Sequence, residues 1–164
     1  MADPDRQEAV AVDGLEQHDR LLAAFSYSER ALIEEFVPGR ELAVPVFEGK
    51  ALPVVEASPT EDSMYDFEAR YTIGSATLSC PAELDEETAS KARETAERTV
   101  ELLGLRSFAR VDMLLDERDG EPKVLEADAI PGLTHTSLLP QSIEAAGIGF
   151  DEFVGRVVES ALAD

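Results

Sequence analysis

The chain has 164 residues, 44% of them hydrophobic, enough for one domain or a fused pair of lobes around a core. Fourteen basic residues face 35 acidic ones, and the resulting charge of −21 repels nucleic acid and anionic membrane. No apolar run reaches the roughly eighteen residues of a membrane span, and the single cysteine, Cys80, excludes an internal disulfide and suits a reducing, cytoplasmic setting.

The opening residues, MADPDRQEAV, lack a signal-peptide core, and residues 1–13 are expected to fray. Leu15, Leu21, Leu22 and Phe25 lie near helical spacing and predict a helix over 14–25. RALIEEFV is expected as a strand, ended by a turn at Pro38-Gly39. RELAVPVFE and KALPVVEAS predict two more strands with Glu48-Gly49-Lys50 between them, and Pro45 confines the first to an edge or a bulge. Residues 58–80 are expected to be irregular; a loop of that length is usually functional or disordered, and Tyr65, Phe67 and Tyr71 favour partial order.

From Asp85 to Leu103 the period turns helical, with Ala89, Ala92, Ala96, Val100 and Leu103 on one stripe. Asp85 can cap the start, and Gly104 can end the helix in a left-handed conformation. SFARVDMLLD and PKVLEADA predict an antiparallel hairpin about Asp119-Gly120. SLLPQSIEAAG, with Pro140 in its first turn, and FDEFVGRVVESALA supply closing helices. The order reads as α+β, a largely antiparallel sheet flanked by helices.

The hairpin carries the chemistry. Side chains alternate along a strand, so Arg110 and Asp112 share one face, and so do Glu126 and Asp128. Facing pairs in an antiparallel ladder have position numbers of constant sum. An even sum puts all four groups on one face and needs either an odd loop around Asp119-Gly120 or one bulge; the odd loop is expected. Three carboxylates that close cannot all stay ionised without cations. Arg110 offsets one charge, and a divalent ion suited to hard oxygen ligands, Mg²⁺, offsets two. The competing account is three acids on a solvent-facing strand surface.

Pro131-Gly132 and LTHTS follow. Gly132 lets backbone N–H groups approach an anion, and Thr134, Thr136 and Ser137 lead into a helix start that attracts carboxylates and phosphates. A plain capped helix would use the same residue types. Glu34, Glu35 and Glu41 flank a turn, where backbone amides at a strand exit could bond a purine edge and an acid could hold ribose hydroxyls, or these could simply be exposed charges. Arg70 could swing over a phosphate, or its loop could be pinned by aromatic packing.

Taken in order, LIEEFVPGREL, MYDFEARY, SCPAEL, ARVDMLLD, VLEADAIPGLTHTSLLP and AAGIGFDEFV resemble the C-terminal half of a D-alanine–D-alanine ligase, an ATP-grasp enzyme, over residues 9–163. The resemblance implies an ATP-grasp C-terminal portion over 14–164, without the N-terminal substrate domain and phosphate-binding loop. It implies an ATP-dependent carboxylate–amine ligase that joins two D-alanines through an acyl phosphate in cell-wall peptidoglycan synthesis. Glu34, Glu35, Phe36 and Val37 would form the adenine hinge and Glu41 would hold the ribose. Asp112, Glu126 and Asp128 would bind two Mg²⁺, or Mn²⁺, bridging the phosphates. Arg110 and the Gly132 N–H would steady the oxyanion, and Ser137 and Leu138 would receive the second D-alanine carboxylate. Arg70 and Tyr71 would lie on the closing loop; Cys80 matches a common, non-catalytic position.

The family usually carries Asn at position 128 and Lys at position 70. The extra carboxylate of Asp128 would hold metal more tightly while adding negative charge near phosphates. By itself the chain is expected to bind Mg²⁺ and nucleotide weakly and not to ligate. Alternatives are a ligase for another amino acid or acid, or a binding module whose open sheet edge takes a homodimer partner or a complementary N-terminal chain. Acid excess with only three lysines suits solubility at high salt, so a halophilic source is expected.

Overall fold

The computed structural model describes residues 16–31, 33–59 and 76–163, in two units divided between Val37 and Pro38. The first unit contains α1 (Glu16–Tyr27), two residues later than its spacing predicts, and an irregular stretch through 33–37. RALIEEFV is therefore not a strand. A strand needs a neighbour to bond with, and no described residue of 30–37 takes part in a strand pairing. Residues 1–13 lie outside the described residues.

The second unit is built on an antiparallel sheet: β1 (Gly39–Phe47), β2 (Lys50–Ala51), β3 (Val55–Pro59), β4 (Ala76–Ser79), β5 (Phe108–Asp116) and β6 (Pro122–Asp128). The order is β4-β3-β1-β5-β6, with β2 also on β1. Helix α2 (Glu86–Leu103) lies between β4 and β5, and α3 (Leu138–Ala145) and α4 (Phe150–Ala163) follow β6. No helix among the described residues is long and apolar enough to cross a membrane.

Two expectations are corrected here. Ala76–Ser79, expected as irregular, is an edge strand paired to β3 through Glu56↔Ser79, Ala57↔Leu78, Ser58↔Thr77 and Pro59↔Ala76. Four residues carry too little alternation to reveal a strand; its partner defines it. Pro45 stands on the central strand, so of the two settings expected for it the edge is excluded and an irregularity in the pairing remains. Its carbonyl accepts from the Leu52 N–H at 2.8 Å, opposite the break where β2 gives way to β3. The register slips by one residue there, from Val46↔Ala51 to Ala43↔Val55. An N–H and C=O of one strand residue point the same way, so the missing proline donor falls at this interruption.

One face of the sheet packs on α2. Leu42, Val44 and Val46 of β1 and Ala109, Val111 and Met113 of β5 meet Ala92, Ala96 and Val100. Asp85 caps α2: its Oδ1 accepts from the Thr88 N–H at 2.9 Å. Gly104, at φ 64°, turns the chain so that the Leu105 N–H reaches the Val100 carbonyl at 3.0 Å. Leu105 then joins the core where Leu103, 60% exposed, was expected to.

On the opposite face α3 and α4 cover one end, where Phe47, Leu52, Leu139, Ile143 and Phe153 are buried together. The Phe153 ring lies 4.9 Å from Phe47 and 5.5 Å, edge-on, from Phe108. The buried Ser142 hydroxyl donates to the Pro53 carbonyl at 2.6 Å and ties α3 to the β2–β3 link.

Candidate metal and nucleotide site

The remainder of that second face carries Arg110 and the acids, and the β5–β6 register explains why. Next to the turn the ladder runs Leu115↔Pro122, Leu114↔Lys123, Met113↔Val124. Continued without a break, it would pair Asp112 with Leu125 and send Glu126 to the α2 face. Instead the register shifts at Asp112/Met113: Leu125 is left over, and the ladder resumes as Asp112↔Glu126, Val111↔Ala127, Arg110↔Asp128. The even register of the acids therefore comes from a bulge and not from the odd loop expected. The Asp116 N–H bonds the Glu121 carbonyl at 3.1 Å, and the Gly120 N–H returns to Asp116 at 2.8 Å.

Arg110 stands at the centre of these acids. Its Nε donates to Asp112 Oδ1 at 2.6 Å and its Nη2 to Asp112 Oδ2 at 2.7 Å. The same Nη2 lies 3.6 Å from Asp128 Oδ2 and 4.0 Å from Glu126 Oε1. The Arg110 and Asp112 side chains are 12% and 7% exposed, whereas Glu126 and Asp128 open to solvent. Burial alone would lower the Arg110 pKa. The hydrogen bond to Asp112 and the fields of Asp112, Asp128 and Glu126 outweigh it, and the pKa is raised. Arg110 is thus a fixed cation.

Beyond β6, Asp128 Oδ1 accepts from the Ile130 N–H at 2.9 Å, which orients the carboxylate and starts the turn. Pro131 is buried beneath it. A Cβ on Gly132 would stand 2.7 Å from Ser137 Oγ, so the hydroxyl keeps this position only beside a glycine and would have to rotate away from a larger residue. Ser137 precedes α3 but makes no side-chain cap to it. Its Oγ instead accepts from the Thr134 N–H at 3.1 Å and lies 2.8 Å from Thr134 Oγ1, which is 3.2 Å from Thr136 Oγ1. The hydroxyls form a linked turn ahead of the helix, with Leu138 as its first residue.

Glu41 shares the acid face through its pairing to Leu114 and Ala57. It lines a shallow recess with Ala43, Asp112, Leu125 and Leu138. Glu34, Glu35, Phe36 and Val37 belong to the first unit, in its irregular stretch. Arg70 and Tyr71 lie outside the described residues, as do Tyr65 and Phe67. Cys80 is half-buried, its thiol 3.7 Å from the Gln141 carbonyl, and burial pushes its pKa up. Sequence reasoning missed Leu125, whose one signal is the apolar pair Val124-Leu125 where alternation demands a polar partner.

Among the described residues no three His, Cys, Asp or Glu side chains stand close enough to hold a metal by themselves. Mg²⁺ does not require such a cage, since it takes one or two carboxylates and completes its shell with phosphate and water oxygens. Facing carboxylates on Asp112 and Glu126 fit that manner of binding.

The family model of the D-ala D-ala ligase C-terminus matches residues 9–159. D-alanine--D-alanine ligase B of Clostridium perfringens is 35% identical over 87% of this chain and 46% of its own length. D-alanine--D-alanine ligase of Methylacidiphilum infernorum is 40% identical over 81% and 43%. The crystal structure of the Bacillus anthracis ligase complexed with ATP superposes with a TM-score of 0.77 at 28% identity, over 92% of this chain and 47% of that one. The chain spans about half the length of the relatives it matches. Motif order, antiparallel sheet and match over 9–159 agree, and the chain belongs to the D-ala D-ala ligase C-terminus family of ATP-grasp ligases.

Proposed function

We propose that this chain carries the metal- and phosphate-handling part of a cytoplasmic ATP-dependent D-alanine–D-alanine ligase that serves peptidoglycan synthesis. In the reaction the γ-phosphoryl of ATP passes to the carboxylate of one D-alanine, releasing ADP. The amine of a second then attacks the acyl phosphate, releasing phosphate and leaving a dipeptide. Asp112, Glu126 and Asp128 would hold Mg²⁺ or Mn²⁺, which supplies neutralisation of the phosphate charge. Glu41 accepts the ribose hydroxyls, and Glu34, Glu35, Phe36 and Val37 hold the adenine. Arg70 and Tyr71 close over the phosphates. Arg110 and the Gly132 N–H carry the charge that develops on the tetrahedral oxygen. Ser137 and Leu138 position the carboxylate of the second D-alanine. The work is placement and charge, with no covalent enzyme intermediate.

The observation that carries this reading is the facing of Asp112 and Glu126 beside Arg110, reached only through the Leu125 bulge. Calorimetric titration of the 164-residue chain with ATP tests it. ATP binds with Mg²⁺ present, and Glu126→Gln weakens that binding at least about tenfold. Equal binding in EDTA, or by the variant, overturns the assignment.

A further inference from the structure

Arg110 bonds Asp112 and lies within 4.0 Å of the other two acids that the proposed site offers to a metal, and the inference drawn here rests on that proposal. The guanidinium fork takes both oxygens of Asp112, at 2.6 and 2.7 Å, in a pair almost closed to solvent. Its Nη2 also faces Asp128 at 3.6 Å and Glu126 at 4.0 Å. A divalent ion placed on the same carboxylates would meet this positive charge at contact range, where water screens little. Asp112 is only 5% exposed, so in this pair the arginine stands where water would otherwise solvate the carboxylate.

We propose that Arg110 is a resident counter-cation that competes with the metal for Asp112, so that the site loads by cation exchange. Without metal, Arg110 neutralises Asp112 and lets three carboxylates coexist. When a metal arrives, Asp112 exchanges the guanidinium for it, and the fork becomes available to an anion. Free metal therefore binds weakly, and a metal–polyphosphate complex binds better because it brings an anionic partner for the released guanidinium. Arg110 is in this respect a positioning residue for the metal as well as a contact for the reacting oxygen.

Mn²⁺ titration followed by electron paramagnetic resonance, without nucleotide, tests the competition in the full 164-residue chain. Arg110→Met binds Mn²⁺ at least about tenfold more tightly than the parent, and Arg110→Lys, which loses the fork but keeps the charge, falls between them. Its melting temperature also rises more with Mn²⁺ than the parent's does. Parent and Arg110→Met binding Mn²⁺ equally, or the variant more weakly, overturns the exchange while leaving the metal site standing. No binding by either at millimolar Mn²⁺ overturns the metal site itself. A readout on the parent chain covers failure of the variants to fold. Exchange of the Arg110 Nε–H with solvent, followed by NMR, accelerates at least about tenfold on adding Mg²⁺; unchanged protection contradicts the proposal.

Discussion

At the scale of single residues, charge pairing decides which groups can sit where they do. Arg110 and Asp112 form a shielded pair, and removing one partner leaves a buried charge behind. Arg110→Ala is expected to cost about 3 kcal/mol in denaturant unfolding, unlike exposed pairs such as Arg98–Glu101, worth less than about 1 kcal/mol. Asp116 is a second case. The Arg118 side chain and backbone N–H hold its carboxyl down to about 2, against an ordinary 3.8. A depressed carboxyl stabilises the fold above its unfolded value and loses that contribution as pH falls through the folded one. The melting temperature of Asp116→Asn should therefore lie below the parent's above about pH 4, and the gap should close towards pH 2. Gly132→Ala should push Ser137 Oγ off Thr134, a change visible in the Thr134 amide resonance. Much of this scale was legible in advance: alternation alone puts Arg110 with Asp112 and Glu126 with Asp128. That Arg110 bonds its own strand neighbour so closely was not, since spacing carries no side-chain torsions.

At the scale of elements, the legible parts are those whose signal is local. The helix over Glu86–Leu103 follows from its alanine stripe, its Asp85 cap and its Gly104 end. Asp85→Ala should lower the melting temperature by roughly 2–4 °C. Phe153→Ala, at the centre of the aromatic cluster, should cost about 3–5 kcal/mol. What failed was pairing-dependent. RALIEEFV has strand composition, yet its described residues pair with no strand, and Ala76–Ser79 has little composition but a neighbour in β3. The bulge belongs to the same class, because one leftover residue is invisible until two strands are set side by side. Deleting Leu125 should restore an unbroken ladder with Glu126 still facing Asp112, so metal binding should survive. Deleting Ala127 instead swings Asp128 to the other face, and metal affinity should fall; titration of both with Mn²⁺ separates the outcomes.

For the whole molecule, charge and family govern. A net charge of −21 opposes compaction at low ionic strength, so the melting temperature should climb as NaCl rises from millimolar to molar. A flat or falling curve would detach the acidic surface from any high-salt advantage. The family was legible because its motifs occur in one order along the chain, a long-range regularity that no single motif supplies. Central to the proposed function is that Asp112 and Glu126 hold one ion between them. The direct measurement is a double-mutant cycle on Mn²⁺–ATP binding with Asp112→Asn and Glu126→Gln. If both carboxylates grip the same ion, the double variant loses little more than the worse single one. Losses that simply add would place the two acids at separate tasks and contradict the shared site.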